Sequence, residues 1–309
     1  ASNLVDIVKY QNLDLLHVHY AIPHASAAFI AKQILREHGI YIPVITTLHG
    51  TDITLVGKAP AYRSVVAFSI NQSDGITTVS ESLKSDTYAN FDIKKEIEVV
   101  PNFIDFTRFM KLDRAHFKKA IAPNKEKLLI HTSNFRKVKR VEDTIRIFHK
   151  VRQQVNSKLM LVGDGPERAC VEELARKLNV EKDVMFLGKQ DAVEELLAIA
   201  DLYLMPSESE SFGLAALEAM ACEVPVISSN TGGIPEINIH GDTGFLSDVG
   251  DVEEMALNAI KILSNEDTLK RFKTNSLIQA KKFDIANILP VYERYYEKVL
   301  KESAQFSKT

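Results

Sequence analysis

The chain has no tryptophan, only two cysteines in 309 residues, and no apolar run near the roughly 18 residues that a membrane-spanning helix needs. Two cysteines, Cys170 and Cys222, are too few for a disulfide framework or a structural zinc site. They fit a reduced, cytoplasmic setting, and no signal-peptide pattern stands at the first residues. Neither sign of charge is in excess: 38 Lys+Arg against 41 Asp+Glu leave a net charge of −3. A nucleic-acid binder normally carries a cationic surplus, so that class is excluded as a first reading. No Gly-x-Gly-x-x-Gly turn follows a strand, which argues against a dinucleotide-dependent dehydrogenase. No Asp-x-Asp occurs either, which argues against a divalent ion held by such a motif on a diphosphate.

What is present is a globular composition, 45% hydrophobic and 26% charged, long enough for about two domains. Short apolar runs alternate with amphipathic stretches, the signature of βαβ units and parallel sheets. Strands are predicted at 13–19, 43–48, 75–79 and 96–100, then at 127–132, 158–162, 183–187, 201–205 and 224–228. Helices are predicted at 25–38, 62–72, 140–155, 166–178, 191–200, 212–222, 251–263, 266–282 and 285–301. A break at Pro101–Asp105 sets a domain boundary near Ile104, followed by a charged stretch from Lys111 to Lys127. The chain opens on a helix tail, Asn3 to Tyr10, and runs into a buried strand. An α/β domain rarely begins so, and further N-terminal elements are expected to precede it.

The strongest chemical signal follows the predicted strand 201–205: Pro206-Ser-Glu-Ser-Glu210-Ser-Phe-Gly213-Leu-Ala-Ala-Leu-Glu218. Glu210 falls in a loop and Glu218 on the next helix, so both carboxylates can face one cleft and accept hydrogen bonds from sugar hydroxyls. Ser211 is a candidate helix cap, and Gly213 lets a ligand approach the backbone at a positive helix end. The plainer alternative makes both acids solvated. The second signal, Ser133-Asn-Phe-Arg136-Lys-Val-Lys139-Arg140, puts four cations in five positions after a strand, which suits a diphosphate. Gly163-Asp-Gly-Pro-Glu167 reads as a strand-to-helix turn with Asp164 as cap and Pro166 in the first helical position. His17, His19, His24 and His49 lack acidic or cysteine companions at ligand spacing, so no metal is expected. Tyr20, Thr47, His49 and Asp52 are expected at the edge of the first sheet.

Together with Gly232-Gly233-Ile-Pro235-Glu236 and Gly241-Asp-Thr-Gly244-Phe-Leu, these motifs resemble the retaining glycosyltransferases of family 4. The resemblance runs from Asp14 to Leu300 and implies the α/β GT-B fold: two Rossmann-like domains facing a cleft, the first incomplete in this chain. The implied domains are 1–104 with 284–309 packing back on it, and 105–283. His17-Val-His-Tyr20-Ala-Ile-Pro-His24 and Thr46-Thr-Leu-His49-Gly-Thr-Asp52 narrow the resemblance. They point to a branch that moves N-acetylglucosamine from UDP-N-acetylglucosamine to the hydroxyl of L-malate, the first step of bacillithiol biosynthesis, without metal or cofactor. The resemblance implies catalytic roles for His49, Glu210 and Lys139. It implies donor contacts from Arg136, Lys139, Gly163, Glu210, Phe212, Gly213 and Glu218, and acceptor contacts from Tyr20, Thr47 and Arg63. Neither nucleic acid nor membrane is an expected partner, and a homo-oligomer stays open. Two positions depart from the family pattern. Asn134 replaces an arginine whose charge Arg136 is expected to supply. Glu223 replaces a glycine, at a strain of about 1 kcal/mol if φ is positive. Two alternatives remain: a family 4 enzyme with a sugar, inositol phosphate or lipid acceptor, and a non-enzymatic nucleotide-sugar-binding protein.

Overall fold

The computed structural model describes residues 1–55, 59–112 and 114–306. It divides into two compact units, Ala1–Asn102 with the chain from Ala286 onward, and Phe103–Ile285. The first unit runs α1 (Ser2–Gln11), β1 (Leu16–His19), α2 (Ser26–Glu37), β2 (Val44–Leu48), α3 (Pro60–Gln72), β3 (Gly75–Thr78), α4 (Glu81–Asn90) and β4 (Glu98–Val99). Its strands are parallel in the order β1-β2-β3-β4. All five residues of β2 are buried, as expected of a strand covered on both faces.

The second unit runs α5 (Ala115–Ile121), β5 (Lys127–Thr132), α6 (Val141–Arg152), β6 (Ser157–Val162), α7 (Arg168–Lys177), β7 (Val184–Gly188), α8 (Val193–Ile199), β8 (Leu202–Met205), α9 (Leu214–Ala221), β9 (Val226–Ser229), α10 (Ile234–Ile237), β10 (Gly244–Ser247), α11 (Val252–Leu263) and α12 (Glu266–Ala280). Its parallel sheet has the order β10-β9-β8-β5-β6-β7. Apolar residues at helical spacing on α6 (Ile145, Phe148, Val151) and on α11 (Met255, Ala259, Ile262) are buried against Leu129, Leu159 and Leu204 of that sheet. The last helix, α13 (Ile285–Phe306), returns to the first unit. There the Tyr295 hydroxyl donates to Ile76 O at 3.1 Å and accepts from Ile76 N–H at 2.8 Å.

The differences from the sequence reading have local causes. Asn12 turns the chain through a left-handed conformation (φ 50), so the first strand starts at Leu16 rather than at 13. Helix α7 begins at Arg168; Pro166 precedes it, and the Asp164 carboxylate accepts from Gly165 N–H at 2.8 Å instead of capping the helix. Helix α4 is an addition, capped by Ser80 Oγ, which accepts from Leu83 N–H at 3.1 Å. β10 is a further addition, in the Gly244-Phe-Leu motif. Glu223 has φ 60, the left-handed conformation that costs a side chain about 1 kcal/mol.

One lysine of the charged stretch after the boundary is structural. Lys118 on α5 and Lys273 on α12 donate to Asp201 at 2.7 and 2.8 Å, and Leu128 N–H donates to the same carboxylate at 3.0 Å. Burial alone would raise the Asp201 pKa, but Lys273 and Lys118 overcome it and hold the carboxyl at about 2. Among the described residues, no helix is long and apolar enough to cross a membrane.

Candidate active site

Strand order marks a candidate site in the second unit. From β5 the chain runs to β6 and β7 on one side, then returns with β8 to the other side of β5. The loops after β5 and β8 therefore diverge at the switch point, where parallel sheets leave a crevice beyond their carboxyl ends. Those loops carry the basic segment and the first acid. Lys139 ends a single helical turn, and its Nζ donates to Glu210 Oε1 at 2.6 Å. Ser207 Oγ donates to the same oxygen at 2.8 Å, and Glu208 N–H donates to Val138 O at 2.8 Å, joining the loops. Lys139, Ser207 and Glu210 line a cavity of about 290 Å³ together with His131, Ser133 and Met205.

Two glycines let neighbouring loops close behind this cavity. A Cβ on Gly163 (φ 118) would lie 1.8 Å from Ser133 O, and one on Gly232 (φ 55) would lie 1.8 Å from Glu210 O. No residue with a side chain fits either place. Gly163 thus supports the basic loop from behind and is not part of the cavity lining. Of the four cations in that loop, only Lys139 lines the cavity. Arg136 is exposed and lends its carbonyl to Lys139 N–H at 2.8 Å, while Arg140 pairs with Asp143 at 2.6 Å. Ser211 does not occupy the cap of α9; Gly213 does, with φ 92 and no side-chain capping bond. Phe212 is buried edge-on against Phe283, with ring centroids 5.7 Å apart.

Glu218, on α9, lies outside the lining of that cavity, so the two acids do not share it. Burial pushes its carboxyl up to about 7; Arg108 opposes the shift and Glu194 adds to it. Arg108 is itself bound to Glu194 at 3.2 Å.

In the first unit, parallel pairing sets β1 and β2 side by side, with His19 opposite Thr47. His17 and His19 share a face, with ring centroids 4.6 Å apart. The Nδ1 of His19 and the Nε2 of His49 are 2.8 Å apart, so one ring donates to the other. Burial, then neighbouring rings, lowers the pKa values of His17 and His49 to about 4, leaving both neutral near pH 7. Tyr20 lies beside His49, ring centroids 5.0 Å apart, and lines a pocket of about 600 Å³ with Pro23, Asp52, Tyr62 and Val65. The Asp52 carboxylate accepts from Ala21 N–H at 2.7 Å and from Gly50 N–H at 3.1 Å, tying the loops after the two strands together.

Two expected acceptor residues stand elsewhere. Thr47 is fully buried, and its hydroxyl bonds to His17 Nε2 at 2.7 Å and Thr77 Oγ1 at 2.6 Å, beneath the edge rather than on it. Arg63 is exposed on the first turn of α3 and is not in the pocket lining, although its neighbours Tyr62 and Val65 are. Among the described residues, no group of three His, Cys, Asp or Glu side chains is arranged to hold a metal ion. The Cys222 thiol is buried and pushed up to about 12, far from a nucleophile's range.

Sequence reasoning passed over His131. It is buried at the end of β5, its Nδ1–H donates to Leu204 O at 2.8 Å, and its Nε2 accepts from the Ser133 hydroxyl at 2.8 Å. Burial lowers its pKa to about 4, so the ring stays neutral and ties β8 to the basic loop. The available signal was a polar ring closing an aliphatic run, Leu128-Leu-Ile-His131.

Comparison with known proteins agrees with this architecture. Residues 113–278 match the family model described as Glycosyl transferases group 1, and residues 1–108 match the one described as Glycosyltransferase Family 4. The chain is 46% identical to N-acetyl-alpha-D-glucosaminyl L-malate synthase of Bacillus anthracis, over 98% of this chain and 79% of that protein. It is 28% identical to an uncharacterised glycosyltransferase of Methanocaldococcus jannaschii, over 98% of this chain and 77% of the relative. Among solved structures, sucrose-phosphate synthase from Thermosynechococcus elongatus superposes with a TM-score of 0.82 at 20% identity, covering 97% of this chain and 78% of that one. Anabaena HepE in complex with UDP gives 0.84 at 21%, covering 96% and 81%. The two parallel Rossmann-like sheets are those of the GT-B fold, and the chain belongs to glycosyltransferase family 4.

Proposed function

We propose that the chain transfers N-acetylglucosamine from UDP-N-acetylglucosamine to the hydroxyl of L-malate, with retention at the anomeric carbon, in bacillithiol biosynthesis. The supporting observation is the 46% identity to the Bacillus anthracis enzyme over 98% of this chain, against 20–21% for the sucrose-phosphate synthase and HepE structures. In this reading Lys139 meets the donor diphosphate, Glu210 the sugar hydroxyls and Glu218 the uridine ribose. Arg136 adds charge from the exposed side of its loop, and the backbone at Phe212 and Gly213 faces sugar and phosphate at the start of α9. His49 serves the sugar near the reacting carbon. Tyr20 serves the acceptor, Thr47 contributes through His17, and Arg63 remains the candidate for a malate carboxylate.

The malate oxygen bonds to the anomeric carbon on the face from which the diphosphate departs. The carbon–oxygen bond to UDP breaks, and the hydroxyl proton passes to the departing diphosphate oxygen. Lys139 offsets the charge that builds on that leaving group.

Following UDP release by full-length protein tests the reading: release should require L-malate and proceed unchanged in EDTA. The absence of Asp-x-Asp and the cation in the cavity motivate the second expectation. Loss of activity in EDTA, restored by Mn²⁺ or Mg²⁺, would contradict it.

The ribose contact has its own pH signature. An ionised Glu218 accepts two hydroxyl hydrogen bonds; a protonated one accepts them poorly. With its pKa near 7, donor affinity should weaken about tenfold from about pH 8 to about pH 6. The diphosphate diester of UDP-N-acetylglucosamine does not titrate there. Calorimetric binding should show this slope in the parent and a flat profile in Glu218→Gln; a flat parent profile would remove Glu218 from the ribose site.

A further inference from the structure

We propose that Glu210 is the built-in counterion of Lys139 and that it biases the cavity toward the intact nucleotide sugar and against the free nucleoside diphosphate. This rests on the donor reading above.

The geometry is specific. The two side chains meet at 2.6 Å with 25% and 12% exposure, so without a ligand the cavity's cation is neutralised from the facing loop. The carboxylate is held in place. Ser207 Oγ donates to it at 2.8 Å, Gly233 N–H donates to the Glu210 carbonyl at 3.0 Å, and Gly232 packs against that carbonyl. The loop carrying Lys139 is joined to the same segment through Glu208 and Val138. The two loops therefore stay joined when a ligand arrives, and among the residues lining the cavity Lys139 is the only Lys or Arg.

The two ligands therefore meet different sites. A nucleotide sugar brings a diphosphate for the ammonium and hydroxyl donors for the carboxylate, so both charges keep a partner when the direct pair loosens. A free nucleoside diphosphate brings a further negative charge and, with its ribose hydroxyls directed to Glu218, no sugar hydroxyl for Glu210. It takes the ammonium, while the carboxylate, left with only the Ser207 hydroxyl, repels it. Charges in a half-buried site are screened less than surface charges, so the penalty registers in affinity. After transfer, the product left in the cavity is the species Glu210 disfavours, which promotes its release.

Calorimetric titration of full-length parent and Glu210→Gln with UDP and with UDP-N-acetylglucosamine tests this. Glu210→Gln is expected to bind UDP at least about fivefold tighter and the nucleotide sugar more weakly. Glu210→Asp, which keeps the charge, is expected to weaken the nucleotide sugar without tightening UDP. Glu210→Ala gives the same reading as the glutamine variant should that one fail to fold. UDP bound equally or more weakly by the neutral variants would overturn the counterion role while leaving the donor site intact. A parent that binds neither ligand would instead overturn the donor reading, and the inference with it.

Discussion

Lys139→Ala is expected to lower kcat/KM for UDP-N-acetylglucosamine by about 10²–10³, the cost of removing one group aimed at developing charge. The loss has two parts. On the proposed donor role, the departing diphosphate loses its cation in the cavity, since Arg136 lies outside the lining and Arg140 is committed to Asp143. The Glu210 carboxylate, deprived of its cation and left with the Ser207 hydroxyl alone, then faces the diphosphate. UDP binding should weaken with it, by about 1.5–3 kcal/mol for a charge-assisted contact. Calorimetry and initial rates check both parts, and a variant that binds UDP as tightly as the parent would remove Lys139 from the diphosphate site.

The largest expected effect on stability is at Asp201. Its side chain is 5% exposed, whereas Lys118 and Lys273 are 35% and 18% exposed. Breaking a fully buried pair costs about 3–5 kcal/mol; the partial exposure of the lysines lowers the expectation for Asp201→Asn to about 2–3 kcal/mol. In a unit of this size that is a fall of about 5–10 °C in Tm. The same carboxylate sets an acid limit. Its folded pKa of about 2 lies below the unfolded value of about 4, so its contribution is complete above pH 4 and is lost as pH falls toward 2. Thermal melts across that range should show a steeper acid loss in the parent than in Asp201→Asn. Parallel curves would mean that the ion pairs contribute nothing.

The strands that carry the site were legible because they are continuous apolar runs bounded by turn residues. β5 is found at the predicted 127–132 and β8 begins one residue after its predicted start. Helix α4 gave no apolar stripe, since only Leu83 and Thr87 of its residues are buried, and its one local signal was the Ser80 cap. The chemistry of Lys139 and Glu210 was readable from each loop alone. Their direct contact was not, because it depends on β8 returning beside β5, a pairing fixed by sheet order and not by neighbouring residues. Thr47 misled for a similar reason. Its strand is covered in part by α13, which comes from the far end of the chain and brings Tyr295 and Val299 against Ile45. A threonine that looks available from local sequence is therefore sealed beneath His17.

The most direct measurement is the identity and anomeric configuration of the product formed by full-length protein from UDP-N-acetylglucosamine and L-malate. Mass and proton NMR spectra should show one N-acetylglucosamine joined to the malate hydroxyl, α-linked as in the donor, with one UDP released per linkage. A β-linked product, or UDP release that yields free N-acetylglucosamine whether or not malate is present, would contradict retaining transfer to malate.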